Sequence, residues 1–337
     1  MRIAVIGLGM ASAPHAQSLL DLRDRVEVIA AFSPTSARRQ TFASRWGMPV
    51  TDTLDGIFED PSIEAVLTLT PPNTHRQLVE QAASKGKHVL LEKPLDVSLE
   101  NAEALVETCE KAGVTLGVVL QHRFRPVSVA MSHIVADGRL GQIVGASARL
   151  SNWRPQSYYD EPGRGTKARD GGGVLLTQGI HTLDLLISVG GLPVETMAYA
   201  VTTPVHRMET EDLVAGAIRY GNGAIGTVGA TTCAYPGTPD AIEVIGTRGM
   251  ARIEGATLIA KFHDGSDIEM DDGEVGGGAG ADPMAFSHMH HRAVIEDFVD
   301  AVEKGRSPKV SGREALKVHR LIEAMLRSAA TGRREQV

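Results

Sequence analysis

Across about its first 120 residues the chain alternates two hydrophobic periods, and nothing else in it limits the possible folds so tightly. Ile3-Ala4-Val5-Ile6, Val26 to Phe32, Ala65 to Leu69, Val89-Leu90-Leu91 and Leu116 to Leu120 are short, almost wholly apolar runs. Strands that are apolar on both faces belong in a parallel sheet covered on both sides. Between them lie helical patterns. Thr74 to Lys85 gathers Leu78, Val79 and Ala82 on one side, and Leu99 to Ala112 gathers Ala102, Leu105, Val106 and Cys109. Strand and helix in alternation give right-handed βαβ units and a doubly wound α/β sheet.

After Pro126 the pattern changes. Val127 to Ala136 reads as one helix, followed by longer strands with alternating side chains. Leu213 to Tyr220 and Ala224 to Val228 flank Gly221-Asn222-Gly223, a hairpin signal, and Ala241 to Gly246 with Met250 to Ile253 predict a second hairpin. The glycine-rich stretch Asp271 to Ala281 has no period and reads as a loop. Two helices close the chain, the second opening on Ser311-Gly312-Arg313-Glu314, a capping box. The expected division is an α/β domain over 1–122 and an α+β domain over 123–337. The second is predicted to hold an open, mainly antiparallel sheet with helices on one face.

A chain of 337 residues with 42% hydrophobic residues has material for two cores. No apolar run approaches the roughly 18 residues that cross a bilayer. The start, Met1-Arg2-Ile3-Ala4-Val5-Ile6, reads as a strand rather than a leader. Cys109 and Cys233 are too few and too far apart for a disulfide framework or a metal knuckle. Net charge is −7 with no basic cluster, so neither nucleic acid nor an anionic membrane is an expected partner. The expectation is a soluble cytoplasmic protein.

Gly7-Leu8-Gly9-Met10-Ala11-Ser12 follows the first strand and opens a helix, which is where a Rossmann dinucleotide fingerprint lies. Gly7 permits the tight turn, Gly9 lets the backbone approach a pyrophosphate, and Met10 and Ala11 lead into the helix N-terminus. Ser12 replaces the third glycine. At the end of the second strand, Phe32-Ser33-Pro34-Thr35-Ser36-Ala37-Arg38-Arg39 offers no carboxylate for ribose hydroxyls. Ser33, Thr35 and Arg38 supply donors and charge suited to a 2′-phosphate, which favours NADP over NAD.

Oxidising a secondary alcohol needs a proton acceptor beside the hydride acceptor. Lys93, at the end of the run His88 to Glu92, and His181 are the candidates. Val174 to Val189 reads as a helix entered through Gly171-Gly172-Gly173, with Thr177, His181 and Asp184 near one face. Upstream, Trp153 to Tyr159 and Arg164 to Lys167 interleave aromatics with cations, as a polyol pocket requires. Arg154, Tyr158, Arg164 and Lys167 are therefore candidate substrate contacts. His288, His290 and His291 lack a carboxylate or thiol at ligand spacing, and no metal is expected.

In this order Gly7-Leu8-Gly9, Thr70-Pro71-Pro72-Asn73-Thr74-His75, Glu92-Lys93-Pro94, Gln121-His122-Arg123 and the Gly171 to Asp184 stretch resemble the Gfo/Idh/MocA oxidoreductases. The resemblance implies an NADP- or NAD-dependent dehydrogenase of a sugar, sugar derivative or cyclitol. It implies that Thr70, Pro71 and Asn73 run under the nicotinamide ribose, with Asn73 capping the helix of His75 and His75 itself structural or beside the cofactor rather than catalytic. Glu92, Lys93 and Gln121 join the cofactor site, and Arg123 and Gln178 the substrate site. NADP-using members often pair a serine with a basic residue five places on, as Ser33 and Arg38 stand here. Where the family commonly has aspartate four residues before the histidine, this chain has Thr177. The implied mechanism makes His181 the general base and Lys93 the stabiliser of the alkoxide on the same oxygen. It also implies a cis Lys93–Pro94 bond and a homodimer or homotetramer through the second sheet. A nicotinamide-dependent glycoside hydrolase working by transient oxidation, or a cofactor-binding sensor, are the alternatives.

Overall fold

The structure, a computed structural model, describes residues 1–273 and 287–337, so the stretch expected as a loop lies outside the described residues from 274 onward. The chain divides into two compact units, Met1–Gln121 with Ser287–Leu316, and His122–Phe286 with Lys317–Val337.

The first unit begins with β1 (Arg2–Ile6), α1 (Ser12–Asp21), β2 (Glu27–Phe32), α2 (Ser36–Trp46), β3 (Val50–Thr51) and α3 (Asp55–Phe58). It continues through β4 (Ala65–Thr68), α4 (His75–Ser84), β5 (His88–Glu92), α5 (Leu99–Ala112) and β6 (Leu116–Val119). All six strands are parallel, in the order β3-β2-β1-β4-β5-β6. Each predicted strand is present. The central strand β4 and the edge strand β6 are both buried at every residue, as a sheet covered on both faces demands. The order reverses between β1 and β4, and in such sheets the crevice beyond the carboxyl ends at that point takes the ligand.

The second unit holds α6 (Pro126–Ala136), β7 (Ile143–Trp153), α7 (Gln156–Tyr159), α8 (Lys167–Asp170), α9 (Val174–Thr177) and α10 (Ile180–Gly190). Then come β8 (Glu195–Val201), β9 (Leu213–Arg219), β10 (Ile225–Thr231), β11 (Cys233–Gly246), β12 (Gly249–Glu254), β13 (Thr257–Phe262) and β14 (Asp267–Asp271). α11 (Met289–Lys304), α12 (Gly312–Thr331) and β15 (Glu335–Gln336) finish the chain. Nine strands form one mainly antiparallel sheet, β14-β13-β12-β11-β7-β10-β9-β8-β15, in which only β7 and β10 run parallel. Both predicted hairpins are there, β9–β10 and β11–β12.

Helices α6 and α10 and the latter part of α12 cover one face. Strand alternation sends Val214, Val228 and Ala198 to that side, and Met197, Tyr199, Val201, Leu213 and Ile225 to the other. Ala224 and Thr232 are buried as well, whereas Ile225 is exposed.

A single boundary after residue 122 is also not what the structure shows. Residues 287–316 pack with the first sheet, because α11 lies on β5 and β6 and sets Phe298 against Gly117, where no side chain fits. In the same unit Ser311 Oγ accepts the Glu314 amide at 3.3 Å, one half of the capping box.

Candidate functional site

In the first unit the carboxyl ends of β1, β2, β4, β5 and β6 carry the expected dinucleotide residues. Gly7 has φ +106° and sits on the backbone of Leu69 and Thr70, where a Cβ would come within 2.8 Å of the Leu69 carbonyl carbon. Only glycine serves there. Gly9 has nothing within 4 Å of its missing Cβ, so the turn leaves open space before α1. Ser12, in the third-glycine position, hydrogen-bonds the Gly9 carbonyl at 2.8 Å through its hydroxyl and begins the helix. Met10 is exposed and Ala11 half-buried at that N-terminus. A pyrophosphate fits this turn: space at Gly9, amides of a helix start, and no acidic side chain in the first turn.

Ser33 is buried, and its hydroxyl accepts the Thr35 amide at 3.3 Å. Arg39 turns back and donates to the Ser33 carbonyl at 2.6 Å, whereas Arg38 and Thr35 stand exposed on the start of α2. The two adjacent arginines thus have different surroundings, which the sequence did not separate.

His75 is fully buried and joins two loops. Its Nε2 meets the Thr70 carbonyl at 2.8 Å and its Nδ1 the Pro94 and Leu95 carbonyls at 3.0 and 3.2 Å. Burial lowers its pKa. The expected Asn73 cap is absent: Asn73 lies exposed in a short turn over Pro72–Thr74, and the Thr74 hydroxyl bonds Thr70 Oγ1 at 2.7 Å and the Pro71 carbonyl at 2.8 Å. Thr74, in the N-cap position, spends its hydroxyl as a donor to that turn and makes no side-chain cap either.

Lys93 follows β5 half-buried, and the Lys93–Pro94 bond is cis as expected; Tyr235–Pro236 is a second cis bond that the sequence reading did not foresee. Glu92 does not face outward toward a ligand. Its Oε1 pairs with His15 Nε2 at 2.8 Å, and its Oε2 accepts the Lys93 amide at 3.0 Å. Burial pushes the Glu92 pKa up, but the His15 bond and nearby cations outweigh that and hold it at about 2. Gln121, after β6, keeps its side-chain oxygen buried with no hydrogen-bond partner among the described residues. An amide or hydroxyl donor of a ligand suits it.

In the second unit the expected continuous helix is two, α9 and α10, broken at Gln178-Gly179. Gly179 approaches the carbonyls of Val174 and Leu175 so closely that a Cβ would crowd them at 3.1 and 3.2 Å. The polar row is broken with it. Thr177 donates its hydroxyl to the Gly173 carbonyl at 2.6 Å and contacts the Gln178 side chain. Asp184 is fully buried and takes a two-pronged bond from Arg123, Nε to Oδ2 at 2.7 Å and Nη2 to Oδ1 at 2.6 Å. Arg123, expected to touch substrate, is buried in this ion pair instead. His122 beside it stacks on His181, ring centroids 4.8 Å apart and tilted 29°. His122 and Asp184 together fix how the segment carrying His181 is presented.

Gly173 lies where any Cβ would collide with the Glu211 carbonyl. The Glu211 carboxylate accepts the Gly173 and Leu175 amides at 3.0 and 3.3 Å, closing the start of α9. Around it stand the aromatic and cationic candidates. The Arg164 guanidinium lies 4.2 Å over the Tyr158 ring and pairs with Glu161, while the Tyr158 hydroxyl accepts Gln178 Nε2 at 3.4 Å. Arg154 is buried, donates to the Trp153 carbonyl at 2.8 Å, and lies 5.8 Å from the Tyr158 ring. Lys167 is exposed, and its backbone amide donates to Glu209 Oε2 at 3.0 Å. Asp240, which the sequence reading missed, accepts the Thr182 hydroxyl next to His181, and burial raises its pKa to about 6. Its signal in sequence is weak: an acid in a long strand looks like an ordinary exposed charge.

Comparison with known proteins finds relatives along most of the chain. Residues 1–120 match the model of the GFO/IDH/MocA oxidoreductase family, NAD-binding Rossmann fold, and residues 129–252 match the GFO/IDH/MocA C-terminal domain. A D-xylose 1-dehydrogenase (NADP(+)) of Haloferax volcanii is 28% identical over 312 residues, 91% of this chain and 90% of that protein. An inositol 2-dehydrogenase of Rhizobium meliloti is 27% identical over 99% of this chain and 98% of its own. The crystal structure of the WlbA dehydrogenase from Bordetella pertussis, in complex with NADH and UDP-GlcNAcA, superposes with a TM-score of 0.85 at 26% identity, covering 100% of this chain and 98% of that one.

Proposed function

The chain belongs to the Gfo/Idh/MocA oxidoreductase family, and from that premise we propose that it interconverts a secondary hydroxyl and a ketone on a sugar, sugar derivative or cyclitol, with NADP(H) preferred over NAD(H). The observation that carries the reading is the turn after β1, with Gly7 seated on the β4 loop and open space at Gly9 where the strand order reverses. A bound nicotinamide dinucleotide supplies the hydride acceptor or donor. Gly7, Gly9, Met10 and Ala11 hold its pyrophosphate, and Thr70, Pro71, Asn73 and Gln121 its nicotinamide half. Similar proteins include both NADP- and NAD-named enzymes. The preference for NADP rests on the β2 end, where Ser33, Thr35 and Arg38 stand and no carboxylate does.

His181 takes the proton from the substrate hydroxyl, with its ring held by the stack on His122. The Lys93 ammonium stabilises the developing alkoxide. Tyr158, Arg154, Arg164 and Gln178 supply an aromatic face and donors for a polyhydroxylated ligand. A panel of sugars and cyclitols with each dinucleotide, followed by the absorbance of the reduced nicotinamide, tests this. Turnover is expected on at least one member, lost in Lys93→Met and in His181→Ala, with the double change costing little more than either. Two single losses that simply add would mean that the residues do not act as a unit. The open face of the second sheet is proposed to bind a second copy of the chain.

A further inference from the structure

Three buried groups of the first unit come together although no motif spacing joins them. They are His15 on α1, Glu92 at the end of β5 and His291 on α11. Two imidazoles and a carboxylate make a possible cation site, and Glu92 is the carboxylate that His291 lacks in sequence. The hydrogen bonds favour another reading. Both Glu92 oxygens are already engaged, one by His15 Nε2 at 2.8 Å and the other by the Lys93 amide at 3.0 Å. The His15 ring is 1% exposed and meets the His291 ring edge-on, centroids 4.9 Å apart. With the His15 side chain 1% and the Glu92 side chain 13% exposed, the pair has little solvent to compete with its hydrogen bond.

We propose that His15 is a positioning residue. Through Glu92 it fixes the backbone of Lys93 against α1, the helix whose start receives the dinucleotide. The chain of contact is short and directional: His15 ring, Glu92 carboxylate, Lys93 amide. Glu92 thus has a role other than touching the cofactor. Two neighbouring ties act in the same sense on the residues that follow, since His75 holds the Pro94 and Leu95 carbonyls. Together they clamp the lysine loop on both sides of the Lys93–Pro94 bond. The inference rests on Lys93 acting in the reaction proposed above.

The test compares His15→Leu, which fills the space without a donor, with His15→Gln, whose amide nitrogen can still reach Glu92. With rates normalised to dinucleotide bound, His15→Leu is expected to lower kcat by about ten- to a hundredfold, as small misplacements do. Substrate KM should stay nearly unchanged, and His15→Gln should recover most of the loss. Backbone amide exchange at Lys93 should quicken in His15→Leu and not in His15→Gln, a readout that needs no turnover. If the leucine protein does not bind dinucleotide, His15→Asn, too short to span the gap, takes its place. An unchanged kcat per bound dinucleotide, or unchanged amide exchange, overturns the proposal. So does a wild-type rate that responds to a chelator or to added Zn²⁺, which would make the three groups a cation site. A wild-type protein inactive on every polyol would sink the dehydrogenase reading instead, and the exchange measurement would still judge the clamp.

Discussion

Arg38 and Arg39 are identical in the sequence and different in the structure. Arg39 holds the Ser33 carbonyl at 2.6 Å, so its charge braces the end of β2, while Arg38 remains exposed on the first turn of α2. A 2′-phosphate added beside Ser33 meets Arg38 as the cation able to turn toward it, and a guanidinium–phosphate bond is of the stronger, charge-assisted kind. Arg38→Ala is therefore expected to weaken NADPH about ten- to a hundredfold, equivalent to roughly 1.5–3 kcal/mol, and to leave NADH within about twofold. Fluorescence titration with both reduced dinucleotides measures it, and equal losses would remove Arg38 from cofactor selection. Arg39→Ala should instead affect both dinucleotides alike, since it loosens the strand end rather than a contact to one of them.

Elements were legible wherever their period was regular. Strands β1, β2, β4, β5 and β6, helices α4, α5 and α6 and both hairpins stand close to where the hydrophobic pattern placed them. The Val174 to Val189 helix misled because a glycine inside an apolar stretch leaves the 3.6-residue period intact while allowing a break, and the break here follows Gln178. Once it occurs, Thr177 no longer shares a helix with His181, whereas Asp184 stays three residues from it on α10 and is taken up by Arg123. The partners that decide their roles are remote in sequence: Arg123 for Asp184, Glu211 for the start of α9, and His15 for Glu92. A pattern read along one element cannot reveal a partner on another. Asp184 tests the difference. Asp184→Ala leaves the Arg123 guanidinium buried without its counter-charge, a change that costs about 3–5 kcal/mol. The midpoint of urea unfolding should fall accordingly. Near-native stability with lost turnover would return Asp184 to the substrate-facing row read from the sequence.

Taken over the whole molecule, acid stability follows from a few buried groups. Burial holds His291 at about 3 and His319 at about 4, so between pH 6.5 and about 4 the unfolded chain takes up two protons there that the folded chain does not. Asp240 works the other way: raised to about 6, it lets the folded chain bind one proton down to its ordinary value of 3.8. For these groups the unfolded state holds one more proton over roughly pH 6 to 4, so stability should fall as the pH falls, by about 1.4 kcal/mol per unit. Below 4.5 Glu92, held at about 2, adds to the loss. Burial lowers His75 in the same sense, so unfolding midpoints should fall as the pH falls across this range, and less steeply in His291→Phe; a flat wild-type profile would contradict it. The second prediction at this scale concerns the side of the nine-stranded sheet that, among the described residues, no helix covers. Its β8–β10 end presents Tyr199, 72% exposed, and Ile225, 65% exposed, with Met197, Val201 and Leu213 beside them and small residues between. Toward the other end the same side turns charged, with Arg149, Glu243 and Arg252. An apolar field bordered by charge is the profile of an interface, and a sheet face is flat enough to meet its own copy about a twofold axis. Light scattering at micromolar concentration is expected to report a dimer or tetramer. Tyr199→Glu with Ile225→Glu would set like charges against each other across such an axis, so the double variant should run as a monomer with its dinucleotide affinity retained. A monomeric wild type, or an assembly indifferent to both glutamates, would mean that this face meets something other than a second copy.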